Sequence, residues 1–210
     1  MNKIFISHSI KDISYVKSFV EKILILGLEI PESRIFCSSI EGQGISSGDY
    51  IPDKLKEEIN NASLALLFIS KNYKESEICL NELGAAWVKL PKNKVIPILL
   101  PNINFNELGI LHINTIGLKI DNQSDIMKLI DDCINELNPN YKIQKINKKI
   151  EEFIIDIKTF KQNVQKIQNS INEDIKECFE NNLFVFDSII RKSIPAFSDG
   201  IHKIIDIKLQ

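Results

Sequence analysis

The stretch Leu64–Ser70 (LALLFIS), six apolar residues followed by a serine, decides the fold class. An unbroken apolar run of this length is typical of a strand buried on both faces, as strands are in parallel sheets covered by helices. Two further segments have the same character, Lys3–Ser7 (KIFIS) and Lys94–Leu100 (KVIPILL). The shorter segments Arg34–Cys37 (RIFC) and Thr115–Ile120 (TIGLKI) complete the set of predicted strands.

Helical patterns separate these strands. Apolar residues recur at helical spacing after Asp12 or Ser14, either of which can cap a helix. Further amphipathic patterns predict helices over Ile51–Asn61, Ile78–Lys89 and Ser124–Leu137, the last capped by its own serine. Strands that alternate with helices form βαβ units, so we expect an α/β fold with a central parallel sheet flanked by helices. Pro97 fits poorly in a central strand and is expected at a sheet edge or a strand end.

The chain changes character after Asn138-Pro139-Asn140. Apolar residues then follow alternating steps of three and four, a heptad seam sustained over about four heptads from Ile143 to Ile171. We expect a helix of about 40 residues that ends at Asn181-Asn182, with a second helix over Leu183–Ile194. The helix either oligomerises the chain as a coiled coil or packs in a helical bundle. The predicted division is a domain over residues 1–138 and a helical region over residues 141–210.

Composition excludes several classes of protein. The 210 residues carry 26 Lys and Arg against 28 Asp and Glu, without the basic excess of a nucleic-acid-binding protein. The four cysteines lie far apart, which argues against a zinc site and a disulfide framework, and no metal cluster is predicted. The sequence shows no signal peptide and no run of about 18 apolar residues, so we expect a cytoplasmic protein without membrane contact.

Polar residues follow the predicted strands where a ligand would bind. Ligands of open parallel sheets lie at the carboxyl ends of the strands. Those ends carry Ser7-His8-Ser9, Cys37-Ser38-Ser39, Ser70-Lys71-Asn72 and Pro101-Asn102. A catalytic or binding site is therefore expected at this edge of the sheet.

An ordered set of motifs lies in the first ~90 residues. FISHS (Phe5–Ser9) comes first, then the glycine-rich loop SSIEGQGISSGD (Ser38–Asp49), LLFISKNYKES (Leu66–Ser76) and CLNELGAAW (Cys79–Trp87). Taken in this order, the set resembles the Toll/interleukin-1 receptor (TIR) domain, and the resemblance covers roughly residues 1–137. It implies a flavodoxin-like TIR fold followed by an α-helical C-terminal region.

The resemblance implies one of two functions. Some TIR domains cleave the nicotinamide–ribose bond of NAD⁺ and release ADP-ribose, cyclic ADP-ribose or an isomer, while others are adaptors that only bind further TIR domains. By position the catalytic carboxylate is Glu82. The resemblance also places substrate contacts at Ser7, His8, Ser9, Ser38, Ser39, Gly48 and Ile78. NAD⁺ is then the substrate, and neither a cofactor nor a metal is required.

The chemistry explains why one carboxylate suffices. Departure of neutral nicotinamide leaves an oxocarbenium-like ribose, whose charge a nearby glutamate can stabilise. Glu82 lies near the start of its predicted helix, where the helix dipole is expected to keep it ionised. Leu80, Leu83, Ala86 and Trp87 are the predicted packing positions of that helix, with Glu82 on a different side.

Two departures from the family pattern leave alternatives open. Many NAD⁺-cleaving relatives have Trp four residues before the glutamate, where this chain has Ile78, and Ser9-Ile10 replaces a basic pair. The alternatives are a non-catalytic interaction module and an enzyme of the deoxyribosyltransferase type. For the enzyme, the resemblance suggests bacterial antiphage defence, self-association through the TIR domain and the C-terminal helices, and a separate effector or sensor protein.

Overall fold

A computed structural model describes residues 2–39, 50–101, 103–108, 117–137 and 139–193, with side chains described for all of these except 51–52, 168 and 177–193. The chain forms two compact units, Met1–Lys161 and Gln162–Gln210. The first unit contains every described strand, and the second consists, in its described part, of helix.

The elements alternate as the sequence predicts. The strands are β1 Lys3–His8, β2 Ile35–Cys37, β3 Ala62–Ile69, β4 Val95–Leu99 and β5 Leu118–Lys119. The helices are α1 Ile13–Ser18, α2 Ile51–Asn61, α3 Lys71–Lys74, α4 Glu77–Lys89, α5 Gln123–Leu137 and α6 Ile143–Ser193. A π-helical segment, Phe19–Gly27, continues α1, and short 3-10 turns cover Ile10–Asp12, Glu32–Arg34 and Lys92–Lys94.

The sheet confirms the predicted fold class. Five strands pair in the order β2-β1-β3-β4-β5, and every ladder between them is parallel. The chain leaves β2 on one side of β1 and returns as β3 on the other, so the direction of winding reverses at β1. Such a reversal opens a crevice at the carboxyl ends of the strands, where ligands bind. Ser7 and His8 end β1 at this point.

Each face of the sheet has its own core. Alternate side chains of a strand point to opposite faces, and β1 shows this directly. Ile4 and Ile6 pack with residues of α1, α5 and α6, whereas Phe5 packs with residues of α2, α3 and α4. Ser7 therefore shares the face of α4, and His8 shares the opposite face.

Helix α4 is rotated relative to its prediction. Leu80 and Trp87 were expected to face the core, but their exposed fractions are 46% and 40%. Ala86 is buried and Leu83 packs against the core, as predicted, but the other buried residues of the helix are Cys79 and Glu82. The small side chains of Cys79 and Ala86 let the helix pack closely on the sheet, and this orientation turns Glu82 inward.

Three local predictions need correction. Asp12 does precede α1, but its carboxylate makes no cap and accepts hydrogen bonds from Ser70 and Asn72. The α5 cap is Asn122, whose Oδ1 accepts from the Ser124 backbone N–H at 2.9 Å, so Ser124 is not the cap. Pro97 lies in the middle of β4 rather than at a sheet edge or a strand end. It pairs with β3 on one side, and on the other side the pairing with β5 begins at the next residue, Ile98.

The long helix is longer than predicted. α6 spans 51 residues and continues through Asn181-Asn182 to Ser193. Asparagine costs a helix only about 0.7 kcal/mol, too little to end it without a glycine or proline. Its first part belongs to the first compact unit, because Ile146, Ile150 and Phe153 are buried in that core. The division at residues 138 and 141 stays a prediction of where the family domain ends.

Gly27 makes close packing of α6 possible. A Cβ atom added at Gly27 would lie 2.4 Å from Ile146 Cδ1 and 2.9 Å from the Lys22 carbonyl oxygen. Both distances are shorter than van der Waals contact, so glycine is needed where the π-helical segment meets α6.

Candidate functional site

Three side chains from separate elements meet at the carboxyl edge of the sheet. Ser7 Oγ, on β1, donates a short hydrogen bond to Glu82 Oε2, on α4. The same Oγ lies 3.0 Å from the hydroxyl of Tyr73, on α3. The Tyr73 hydroxyl also donates to the Cys79 carbonyl oxygen at 3.0 Å. These contacts form a continuous polar chain inside an otherwise apolar face.

Two serine caps position this cluster. Ser70 begins α3, and its Oγ accepts from the Tyr73 backbone N–H at 2.9 Å. Ser76 begins α4, and its Oγ accepts from the Cys79 backbone N–H at 3.4 Å. Caps of this kind satisfy N–H groups that a helix start leaves unpaired. They fix two helix starts after β3 and so hold Tyr73 and Glu82 against the end of β1.

Burial determines the charge state of Glu82. The residue is 6% exposed, and this burial raises the pKa of its carboxyl from 4.5 to about 7, although the Ser7 hydrogen bond acts in the opposite direction. In the described part of the chain, no cation lowers this pKa. Burial therefore outweighs the helix dipole, and the expectation that the dipole keeps Glu82 ionised is wrong: the pKa of this carboxyl lies near neutrality.

A cavity opens beside Glu82 between α2 and α4. Its volume of about 820 Å³ lies in the range of about 300–1,000 Å³ of small-molecule sites. Ile78 and Val88 line it from α4, and Leu55 and Ile59 line it from α2. Asn60, Asn81, Ala85, Lys56 and Lys89 also contribute to the lining. Glu82 is the one carboxylate among the described lining residues, in a largely apolar wall that also carries Lys56 and Lys89.

His8 lies on the opposite face of the sheet. Its Nδ1 lies 3.8 Å from Cys37 Sγ, and its buried Nε2 has no hydrogen-bond partner among the described residues. Burial lowers the pKa of His8 from 6.5 to about 4, so the ring is neutral at physiological pH. His8 does not line the cavity beside Glu82.

The other predicted contacts lie apart from this cavity. Ser9 is buried, and its carbonyl oxygen accepts from the Asp12 backbone N–H at 2.9 Å. Ser38 is exposed and Ser39 is half-buried in the turn that follows β2. Gly48 lies outside the described residues. The structure thus brings Ser7, Ile78 and Glu82 together, and the substrate contacts assigned to all of these residues stay predictions.

Sequence reasoning missed Tyr73. The signal was present, because Ser70 and Ser76 each precede by three the residue whose backbone N–H they cap. That spacing indicates two successive helix starts, and it places an aromatic residue at the turn directly after β3. Asp12, which we expected only as a cap, instead ties this turn to the end of β1 through Ser70 and Asn72.

A family comparison agrees with the geometry. The family model described as the TIR domain matches residues 4–130, which is more than half of the chain. The chain belongs to the TIR domain family. The five-stranded parallel sheet and its flanking helices are therefore a TIR fold, as the sequence motifs predict.

Relatives of this TIR protein were found among known sequences and structures. The uncharacterized protein YddK of Bacillus subtilis is 32% identical over 127 residues, covering 60% of this chain and 46% of YddK. The chain thus spans about half the length of the curated relative it matches. Two solved structures are 15% identical: the TIR domain of the Toll-related receptor TRR-2 from Hydra magnipapillata, and the TIR domains of the activated Roq1 resistosome that directly recognises the effector XopQ. The match to the TRR-2 domain covers 62% of this chain and 99% of the TRR-2 chain, with a TM-score of 0.44. The match to Roq1 covers 83% of this chain and 99% of the Roq1 chain, with a TM-score of 0.35.

Among the described residues of this TIR protein, no helix combines the length and apolar character needed to traverse a bilayer.

Proposed function

We propose that this TIR protein cleaves the bond between nicotinamide and ribose in NAD⁺, with Glu82 as the catalytic carboxylate. The observation that carries the proposal is a buried glutamate, unpaired with any cation in the described part of the chain, that is bonded to Ser7 at the end of β1 and lines a cavity between α2 and α4. A carboxylate with a mainly structural role would be expected in a salt bridge or at the surface.

The two oxygens of Glu82 have different surroundings. Oε2 is held by Ser7, while no described residue donates a hydrogen bond to Oε1. Oε1 is therefore the atom available to the ribose hydroxyls of a bound dinucleotide. As the bond to nicotinamide breaks, positive charge develops on the ribose, and an ionised carboxylate in an apolar cavity stabilises that charge strongly. Nicotinamide departs neutral and needs no general acid.

The cavity walls are compatible with the rest of the substrate. Ile78, which is 60% exposed, offers an apolar surface for the nicotinamide or ribose without aromatic stacking. Lys56 and Lys89 supply positive charge that suits a pyrophosphate. We infer that these two lysines replace the basic pair absent at Ser9-Ile10. Water or the adenine of the same molecule then attacks the ribose, which gives ADP-ribose or a cyclic isomer.

Release of nicotinamide tests the proposal. The wild type, Glu82→Ala and Glu82→Gln are incubated with NAD⁺ both free and assembled on beads, and the products are separated by chromatography. Glu77→Gln is a matched control, because Glu77 is exposed on the same helix. We expect turnover in the wild type and in the control, and a loss of at least 100-fold in both Glu82 variants. Equal turnover in all four proteins, or none from the assembled wild type, would contradict the proposal.

A second candidate function is an interaction module without catalysis. It is favoured by apolar side chains on α6 in the second unit, where Val164, Ile167, Ile171 and Ile175 are 46–61% exposed. A seam of this kind favours self-association of the helix. On this hypothesis, the protein recruits copies of itself and a separate effector or sensor protein. Assembled wild-type protein that leaves NAD⁺ intact would support it.

The enzymatic hypothesis extends to a biological role. Loss of NAD⁺, or production of a cyclic ADP-ribose signal, would halt phage replication in a bacterial host. We expect cells with the wild-type protein to plate phage less efficiently than cells with Glu82→Gln. Equal plating would contradict a role in antiphage defence. The cleavage of NAD⁺ is tested separately by the release of nicotinamide.

A further inference from the structure

Tyr73 is a buried side chain to which the proposed chemistry gives no role. It is 0% exposed, it is not among the described residues that line the cavity beside Glu82, and its hydroxyl hydrogen-bonds within the cluster. The hydroxyl lies between Ser7 Oγ and the Cys79 carbonyl oxygen, 3.0 Å from each. It therefore joins the Cys79 carbonyl to a chain of hydrogen bonds that leads through Ser7 to Glu82.

The hydrogen atoms of this chain can be counted. Three contacts join Glu82 to Ser7, Ser7 to Tyr73 and Tyr73 to the Cys79 carbonyl. The two hydroxyl groups supply only two protons. If Glu82 is ionised, Ser7 must donate to it, and Tyr73 then donates either to Ser7 or to the carbonyl, which leaves one contact without a proton.

A protonated Glu82 completes the count. Its O–H donates to Ser7 Oγ, Ser7 donates to Tyr73, and Tyr73 donates to the Cys79 carbonyl, so each contact holds one proton. We propose that Tyr73 is a positioning residue that acts through Ser7 to hold the Glu82 carboxyl in its protonated form. When Glu82 ionises, its proton passes to water in the adjoining cavity, and Ser7 reverses to donate to the carboxylate.

The titratable groups around Glu82 do not take part in its protonation equilibrium near pH 7. Burial raises the pKa of Tyr73 far above neutrality and raises the pKa of the Cys79 thiol, so both stay neutral near pH 7. Asp12, which acts on Cys79, is occupied by hydrogen bonds from neighbouring side chains. Lys56 and Lys89 line the cavity, and among the described residues neither forms an ion pair with Glu82. Glu82 is thus the group that titrates.

The test measures the titration of Glu82 directly. The side-chain carboxyl carbons of glutamate are labelled with ¹³C in the full chain, Glu82→Gln identifies the resonance, and its shift is followed from pH 4 to pH 9. Tyr73→Phe removes the last donor and acceptor of the chain, so Ser7 donates only to Glu82. We expect the Glu82 pKa to fall by roughly half a unit to one unit, the effect of about one neutral hydrogen bond. Tyr141→Phe, on the opposite face of the sheet, should leave it unchanged.

A double variant shows whether Tyr73 acts through Ser7. Ser7→Ala removes the donor to the carboxylate, so the Glu82 pKa should rise rather than fall. In the Ser7→Ala background, Tyr73→Phe should have no further effect. If Tyr73→Phe does not fold, fluorotyrosine in place of the tyrosines serves instead, because a fluorinated phenol accepts hydrogen bonds more weakly. It should shift the Glu82 pKa in the same direction by a smaller amount.

The effect of Tyr73 on the Glu82 pKa can be tested without NAD⁺. Only its consequence for catalysis rests on the proposed function. An unchanged or raised Glu82 pKa in Tyr73→Phe, or additive effects in the double variant, would overturn the positioning role of Tyr73 even if NAD⁺ is cleaved. The expected pKa shifts in a protein that leaves NAD⁺ intact would support this role and contradict the proposed cleavage of NAD⁺. If both hold, the acidic limb of the nicotinamide-release profile should move with the NMR pKa.

Discussion

Replacing Glu82 by glutamine should stabilise the protein at alkaline pH. The folded-state pKa of about 7 lies above the value of 4.5 expected without burial, so the folded protein binds this proton more tightly than the unfolded chain does. The contribution of Glu82 to stability is therefore greatest below pH 4.5 and is lost as pH rises through about 7. At about 1.4 kcal/mol per pKa unit, the loss reaches about 3 kcal/mol at pH 8.5. The glutamine side chain in Glu82→Gln is neutral at every pH, and its amide oxygen still accepts from Ser7.

His8 makes the comparison of variant with wild type necessary. Its folded-state pKa of about 4 lies below 6.5, so its contribution to stability is lost as pH falls from 6.5 towards 4. The two groups shift in opposite directions by similar amounts, and the wild-type profile between pH 4.5 and 6.5 conceals both. The difference between Glu82→Gln and the wild type at each pH removes the His8 contribution and isolates Glu82.

Urea denaturation followed by the fluorescence of Trp87 measures this difference. We expect Glu82→Gln to be about 3 kcal/mol more stable than the wild type at pH 8.5, equivalent to about 6–12 °C in Tm, and within about 1 kcal/mol at pH 5. Glu77→Gln, exposed on the same helix, should stay within about 1 kcal/mol at both pH values. A Glu82→Gln protein that is less stable than the wild type at pH 8.5 would refute the reasoning, because it would mean that the carboxylate stabilises the fold.

The remaining predictions concern pH, packing and assembly. Nicotinamide release should rise with pH through about 7, since the ionised Glu82 is the active form; a profile flat from pH 5.5 to 8.5 would contradict this. His8→Phe should stabilise the protein at pH 5 by about 1–3 kcal/mol, as judged by thermal melts, with little change at pH 8. Gly27→Ala should cost about 1–3 kcal/mol in urea denaturation because its Cβ would meet Ile146, while Gly84→Ala, with nothing within 4 Å, should be neutral or stabilising. Ile171→Asp should lower the mass measured by light scattering if the α6 seam self-associates; an unchanged mass would exclude the seam.

Much of the fold follows from the sequence because the apolar runs are unambiguous. Leu64–Ser70 predicts β3, whose observed bounds are Ala62–Ile69, and Ile51–Asn61 matches α2 residue for residue. A strand buried on both faces has no polar alternation to misread, and a helix with apolar residues at every fourth position has one buried side. These signals are local, so a single sequence contains them.

The errors arise where tertiary contacts decide. Hydrophobicity placed Ala86 correctly, but it favoured Leu80 and Trp87, which are exposed, over Cys79, which is buried. Close packing on the sheet favours the small side chains, which no pattern of hydrophobicity expresses. Asp12 has the sequence position of a helix cap, yet Ser70, 58 residues away, takes its carboxylate.

The same limit applies to the site. Sequence motifs identified Glu82 through a family resemblance, and position alone suggested an ionised residue at a helix start. The folded chain instead surrounds this carboxyl with apolar side chains and supplies one serine donor, so burial outweighs the dipole. A buried carboxylate without a cation destabilises the fold at alkaline pH, and packing alone gives no reason to retain it. The cavity beside it does give a reason, because a cation that forms on a bound sugar would be the missing partner of the charge. This is why stability and turnover should respond oppositely to Glu82→Gln, whereas a structural glutamate would lose both.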